Sequence, residues 1–247
     1  MKIGILGAGS IGATLARKLS EAGHEVKVAN SRGPETLSAD ATATGAAAVD
    51  SADVVTDVNV LITSIPLSKM PGIRPLIEKL PTEAVVLDTS NYYPMRDGHI
   101  SALDDGMVES LWVTEQLGRS VAKAWNAIGT HSFGAKGRSA VDPDRIAIPV
   151  AADREQDKAV ALQLVDETGF DAVDAGSLAE SWRQQPGAPS YCTDLTRDES
   201  PAALAATQKD RIPQRRDLAV AVIMERMEND GDISGDFLVN LNRVIYS

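Results

Sequence analysis

Three glycines carry the first recognisable chemistry of this chain. In KIGILGAGSIG, Gly7, Gly9 and Gly12 stand in G-x-G-x-x-G spacing, directly after an apolar run and directly before an amphipathic one. Such a turn suits a pyrophosphate. The first glycine makes a tight bend, the second lets phosphates approach the backbone, and the third lets the following helix lie close to the strand. The helix N-terminus then offers amide donors and a partial positive charge. Gly7, Ala8, Gly9, Ser10, Ile11 and Gly12 are therefore the expected dinucleotide contacts, with a plain turn as the bland alternative.

A second strand ends at the expected distance, about 20 residues on, where an NAD site carries Asp or Glu for the adenosine ribose diol. This chain reads Asn30-Ser31-Arg32 there. Ser31 can donate a hydroxyl, Arg32 can give a planar charged fork to a phosphate, and no carboxylate opposes them. NADP(H) is the cofactor this pattern favours. The competing reading makes Arg32 a solvated turn residue before Gly33-Pro34.

These residues need a sheet to position them. Short apolar runs alternate with helix-like stretches, the pattern of a Rossmann-type, doubly wound α/β fold with a mainly parallel sheet. The strands are expected at 2–6, 25–30, 46–49, 58–64, 84–88, 121–125, 145–151 and 171–174. Helices are expected at 11–22, 34–42, 67–79 and 154–168, with a short one ending near Leu117. Residues 1–176 would form the NADP-binding unit. Residues 177–247 would form a small loop and helical extension that covers the substrate site or makes a dimer contact. Within it, DLAVAVIMERM, residues 217–227, has too continuous an apolar face to be left in water, which suggests a homodimer.

Composition narrows the partners. Acidic residues outnumber basic ones 35 to 24, for a formal charge of −11, so nucleic acid is a poor partner. A single cysteine, Cys192, allows no intrachain disulfide. The start runs straight into a strand without the basic and apolar regions of a secretory signal, and no apolar run has membrane-spanning length. The expectation is a cytoplasmic protein that meets a small molecule and no membrane.

The stretches GILGAGSIGATLARKLSEAGHEV and ANSRGPETL resemble the NADP-dependent oxidoreductase family that uses coenzyme F-420, a deazaflavin. VAKAWNAIG (121–129) and DAGSL (174–178) extend the resemblance over roughly the first 180 residues, beyond which it fades. It implies hydride transfer between the nicotinamide C4 and the deazaflavin C5, which demands proximity, stacking and exclusion of water rather than a strong acid or base. It also implies that Ser64, Ile65, Pro66, Ser90 and Asn91 hold the nicotinamide end, and that Trp125, Asn126, Ile128 and His131 line the acceptor side. The bland readings place Ile65 and Trp125 in the core and make Asn91 a turn residue. His131, in the glycine-punctuated IGTHSFGAKG, would donate to an acceptor oxygen or be a surface loop histidine. Lys136 and Arg138 would meet an anionic substrate tail or be solvated.

Other chemistries find no support. GTHSFGAKG misses the phosphate-binding P-loop pattern at Ala135 and Gly137, no G-x-S-x-G elbow is present, and no His or Cys pair has metal-ligand spacing. Three functional readings therefore stand: NADPH:deazaflavin oxidoreductase, NADPH-dependent reductase of another small acceptor such as a flavin, quinone or imine, and non-catalytic NADP-binding sensor.

Overall fold

The computed structural model describes residues 1–230 and 233–247. Its sheet has eight strands: β1 (Lys2–Leu6), β2 (Glu25–Ala29), β3 (Ala47–Ala48), β4 (Val60–Thr63), β5 (Val85–Asp88), β6 (Ala122–Lys123), β7 (Ala147–Ala152) and β8 (Asp171–Asp174). The order across the sheet is β3-β2-β1-β4-β5-β6-β7-β8. The first six run parallel, and β7, antiparallel to β6, starts a reversed pair with β8. The strand order reverses beside β1, which places a crevice at the carboxyl ends of β1 and β4, where doubly wound sheets take their ligands.

The helices are α1 (Ser10–Glu21), α2 (Ala39–Thr42), α3 (Met70–Ile77), α4 (Pro94–Asp97), α5 (Ser101–Asp104), α6 (Glu109–Leu117), α7 (Thr130–Ala135), α8 (Glu155–Glu167), α9 (Ser200–Ala206), α10 (Ile212–Asp230) and α11 (Gly235–Tyr246). Alternation along the strands divides the core into two layers. Ile3, Ile5, Val60, Ile62, Val85 and Leu87 face Leu15 of α1 and Leu164 of α8. Leu6, Leu61 and Val86 point the other way, to Met70 of α3 and Trp112 of α6.

All eight expected strands are present: β1 and β8 with the expected bounds, β7 shifted to Ala147–Ala152, and the other five trimmed at their ends. Two expected helices are divided. Residues 34–42 form a 3-10 turn at Pro34–Thr36 and then α2, because Ser38 takes extended backbone and caps α2 by accepting the Ala41 amide. Residues 67–79 start with a 3-10 turn at Leu67–Lys69 before α3, which carries Pro75 inside it. The glycine-punctuated segment holding His131 is not a loop but α7, and its Phe133 is buried against Phe170 with ring centroids 5.4 Å apart. Burial of that one ring outweighs the helix-weakening glycines around it.

The chain after β8 is tied to the sheet unit by backbone and side-chain bonds. The Ala147 amide donates to Leu195 O (2.7 Å) and the Cys192 amide to Ala127 O (2.9 Å). Gln184, fully buried, donates to Asn126 Oδ1 (2.8 Å) and Pro149 O (3.2 Å). Ala127, Ala188, Tyr191, Ala219 and Tyr246 then form a third apolar cluster. The apolar face of α10 is divided: Ala219 is buried within the chain, whereas Leu218, Met224 and Met227 are exposed, and the dimer expectation rests on those three.

Candidate active site

The glycine turn has the geometry that its spacing predicts. Gly7 has φ +111°, and a Cβ there would lie 2.1 Å from Ser64 O. A Cβ on Gly12 would lie 1.9 Å from Gly7 O, so the helix can sit this close only with glycine. Above Gly9 a Cβ would meet nothing within 4 Å. That open space lies at the start of α1, whose N-cap is Gly9 itself, with no side chain to claim the first amides and no acid in the first turn. The arrangement fits a pyrophosphate.

At the end of β2, Asn30 does not reach outward. Its Oδ1 accepts from the Arg32 amide (2.8 Å), and its Nδ2 donates to Thr36 Oγ1 (2.9 Å), which folds the loop that presents Ser31 and Arg32. Both are exposed, and among the described residues the Arg32 guanidinium has no hydrogen-bond or ion-pair partner. One carboxylate comes nearer than the sequence suggests. The Glu35 oxygens fold over Gly33, 2.6 and 2.7 Å from where a Cβ would stand, without pairing with Arg32.

A cleft of about 380 Å³ runs from this turn along the carboxyl edge and gathers Gly9, Ser10 and Ile11 with Ser64, Ile65, Pro66, Ser90, Asn91 and Ile128. Its floor is ionic. Lys123, at the end of β6, and Asp88, at the end of β5, are both fully buried and pair at 2.8 Å. Asp88 also accepts the Ser90 amide (3.0 Å), the Ser90 hydroxyl (3.0 Å) and the Thr63 hydroxyl (3.3 Å), while Lys123 donates to Ser90 O. Ser90 is thereby held at the cleft by its neighbours' charges.

The residues expected on the acceptor side divide in role. The Trp125 side chain is in the core, 1% exposed, and its Nε1 donates to Thr168 Oγ1 (3.3 Å), so the indole is not a stacking surface. Trp125 has φ +55°, a left-handed conformation that turns the chain sharply after β6. Trp125 and Asn126 both border the cleft, where the Asn126 amide is already committed, donating to Asn91 Oδ1 (3.0 Å) and Gln184 O (2.8 Å). Asn91 donates back to Asn126 O (2.9 Å) and to the Tyr191 hydroxyl (3.2 Å). The pair fixes the loop after β5 to the one after β6.

His131 lies beyond the cleft, on the wall of a second cavity of about 380 Å³ built by α7, α10, α11 and the loop at Tyr93. Its imidazole presses on Gly235, where a Cβ would stand 2.4 Å from His131 Cβ. Lys136 and Arg138 line neither cavity. Lys136 pairs with Asp194 (3.1 Å) and Asp236 (2.5 Å), and Arg138 with Asp142 (2.9 Å), so neither awaits an anionic tail. The wall shared by the cleft and the second cavity consists of Tyr93, Arg96, Gly129, Thr130, Tyr191 and Cys192. None of these was singled out for binding by its spacing, although YYP and PSYC, aromatics inside proline-marked loops, were the available signal. Burial pushes the Cys192 thiol up to about 12, which keeps it inert.

Beneath this wall, Glu109 at the start of α6 is 6% exposed and its Oε2 has no hydrogen-bond partner. Burial pushes its carboxyl up from 4.5 to about 7, against the pull of Lys123 and of the Tyr92 backbone hydrogen bond. A raised carboxyl stabilises the fold below its unfolded value and loses that contribution as pH climbs from about 4.5 to about 7. Glu109→Gln is therefore expected to flatten the fall in unfolding free energy over that window and to gain up to about 3 kcal/mol above it. Urea titrations at pH 5, 6, 7 and 8 check this, and parallel pH profiles for the two proteins would contradict it.

Sheet order, glycine turn and cleft together define a Rossmann-type dinucleotide-binding fold. Residues 2–92 match the family described as NADP oxidoreductase, coenzyme F420-dependent, which bears out the resemblance over that stretch. Escherichia coli (strain K12) YjhV is 56% identical over 50 residues, 20% of this chain and 36% of that protein. Among solved structures, SMa0349 from Sinorhizobium meliloti aligns with TM-score 0.68 at 25% identity, over 80% of this chain and 96% of its own. A candidate F420-dependent NADP-reductase from Arthrobacter sp. FB24 aligns with TM-score 0.59 at 20% identity, over 73% of this chain and 87% of its own, and shares the fold. No helix among the described residues is long and apolar enough to cross a membrane, and none of their His, Cys, Asp and Glu side chains gather in threes to hold a metal.

Proposed function

We propose that the chain is an NADP(H)-dependent oxidoreductase. One observation carries the reading: a single cleft joins the open space over Gly9 to Ser64–Pro66, Ser90 and Asn91, with the unpaired Arg32 at the neighbouring strand end. Arg32 and Ser31 would hold the 2′-phosphate, the first amides of α1 the pyrophosphate, and Ser64, Ile65, Pro66 and Ser90 the nicotinamide end, with Asn91, its amide committed to Asn126 and Tyr191, shaping the wall beside it. When bound, the cofactor supplies the hydride. The protein's part is to position both partners and exclude water, with residues 1–176 binding the nucleotide and 177–247 covering the acceptor.

The match over residues 2–92 supports a deazaflavin, coenzyme F-420, as acceptor. With NADPH the deazaflavin's visible absorbance should then fall, and with NADH it should fall far more slowly. A second reading, another small acceptor, is favoured by the apolar second cavity and by the acids that already occupy Lys136 and Arg138. Tight NADPH binding without deazaflavin turnover would decide for it.

A further inference from the structure

The second cavity adjoins the cleft and shares one wall with it. Much of its lining is apolar: Ala219, Val220 and Ile223 from α10 face Leu238 and Val239 from α11, and among the described residues no Asp or Glu takes part. Its size is that of a site for a compact ligand. Arg96 reaches both cavities, but it is already committed, donating to Asn91 O (2.6 Å) and to Asp97 (2.8 Å).

Of the other polar side chains on its wall, Ser132 donates to Asp194 (2.7 Å) and Asn242 to Cys192 O (3.3 Å), His131 and Tyr246 also take part, and a pair of phenols stands where the cavity meets the cleft. The hydroxyls of Tyr93 and Tyr191 are 3.0 Å apart, and Asn91 Nδ2 donates to that of Tyr191. Two hydroxyls carry two protons, and only one can lie between their oxygens. The other has no oxygen or nitrogen acceptor among the described residues, its remaining neighbour being the Cys192 sulfur, a weak one. Tyr191 is 8% exposed, so this spare donor is buried at the junction of cleft and cavity.

From this we infer that the hydride acceptor is a compact, largely apolar carbonyl compound, a ketone or aldehyde, seated in the second cavity with its oxygen on the Tyr191–Tyr93 hydroxyl pair. The inference rests on the NADP(H) reading in its second form, a small acceptor other than a deazaflavin. The carbonyl carbon gains the hydride with its bonding pair, the C=O π pair withdraws onto oxygen, and that oxygen takes the spare phenolic proton. Tyr93, and then solvent, restores it. The carbonyl becomes an alcohol as NADPH is oxidised to NADP⁺. An iminium would want an anion facing it, and the described lining offers none. Burial raises both phenols, so they stand neutral and protonated at working pH, as a donor to a developing alkoxide must.

The test uses the full chain with acetophenone as probe and pyruvate, a small anionic carbonyl, as control. Calorimetry should show acetophenone bound to the NADP⁺-loaded protein, pyruvate bound at least tenfold more weakly, and NADPH consumed on adding acetophenone. Ile223→Trp, which fills the cavity from a half-buried wall position, should abolish acetophenone binding without changing the NADPH dissociation constant. Tyr191→Phe should lower kcat about 100-fold. Acetophenone binding that is undetectable at millimolar probe, insensitive to Ile223→Trp or matched by pyruvate overturns the inference. So does unchanged turnover in Tyr191→Phe. Failure of the unmodified protein to bind NADPH at all would instead remove the reading beneath it.

Discussion

Arg32→Glu is expected to weaken NADPH binding about a hundredfold and NADH binding by no more than a few-fold. The wild-type guanidinium is exposed, unpaired and presented by a loop whose shape Asn30 fixes, so it is free to close a charge-assisted contact on a 2′-phosphate. Losing such a contact costs about 1.5–3 kcal/mol, and the new carboxylate adds repulsion. NADH, with a ribose diol in place of the phosphate, loses nothing comparable and gains a hydrogen-bond acceptor. Fluorescence titration of each nucleotide checks both numbers, and equal losses for the two would contradict the assignment of Arg32.

Lys123→Met is expected to be the most destabilising single change near the site, at about 3–5 kcal/mol. The ammonium is fully buried against Asp88, and its removal leaves a buried carboxylate with only hydroxyl and amide donors. Lys123→Met combined with Asp88→Asn removes both charges and should recover part of the loss, because the cost lies in the unpaired charge more than in the missing pair. Urea unfolding of the three proteins measures this. A single variant within about 1 kcal/mol of wild type would show that the ion pair does not hold the cleft floor, and a double variant worse than the single would reverse its sign.

The parts legible in the sequence are those whose physics is local. Gly7, Gly9 and Gly12 are dictated by a turn and two close approaches that any strand–turn–helix of this kind must solve, and β4 and β5 announce themselves as apolar runs, β1 as a mostly apolar one and β2 as an alternation of charged and apolar residues. Asn30-Ser31-Arg32 could be read because the strand end is a fixed distance from the turn. The acceptor side could not be read in the same way. Whether Trp125 faces a ligand or the core depends on its positive φ and on Thr168, 43 positions away. Asn126 borders the cleft, yet its amide is claimed by Gln184 and Asn91, 58 and 35 positions away. Tyr93 and Tyr191, 98 positions apart, meet only because the tail folds back over the sheet edge. Buried charge is equally hidden. Nothing in the spacing of Asp88, Glu109 and Lys123 says that the three share one interior.

The central claim is that the cleft binds NADP(H) in preference to NAD(H), and it is tested most directly by titrating the unmodified protein with NADPH and, in parallel, with NADH, following nucleotide fluorescence. The account predicts saturable NADPH binding at least about tenfold tighter than that of NADH, by the charge-assisted contact Arg32 can make. Equal affinity for the two, or no saturable binding of either, would contradict it.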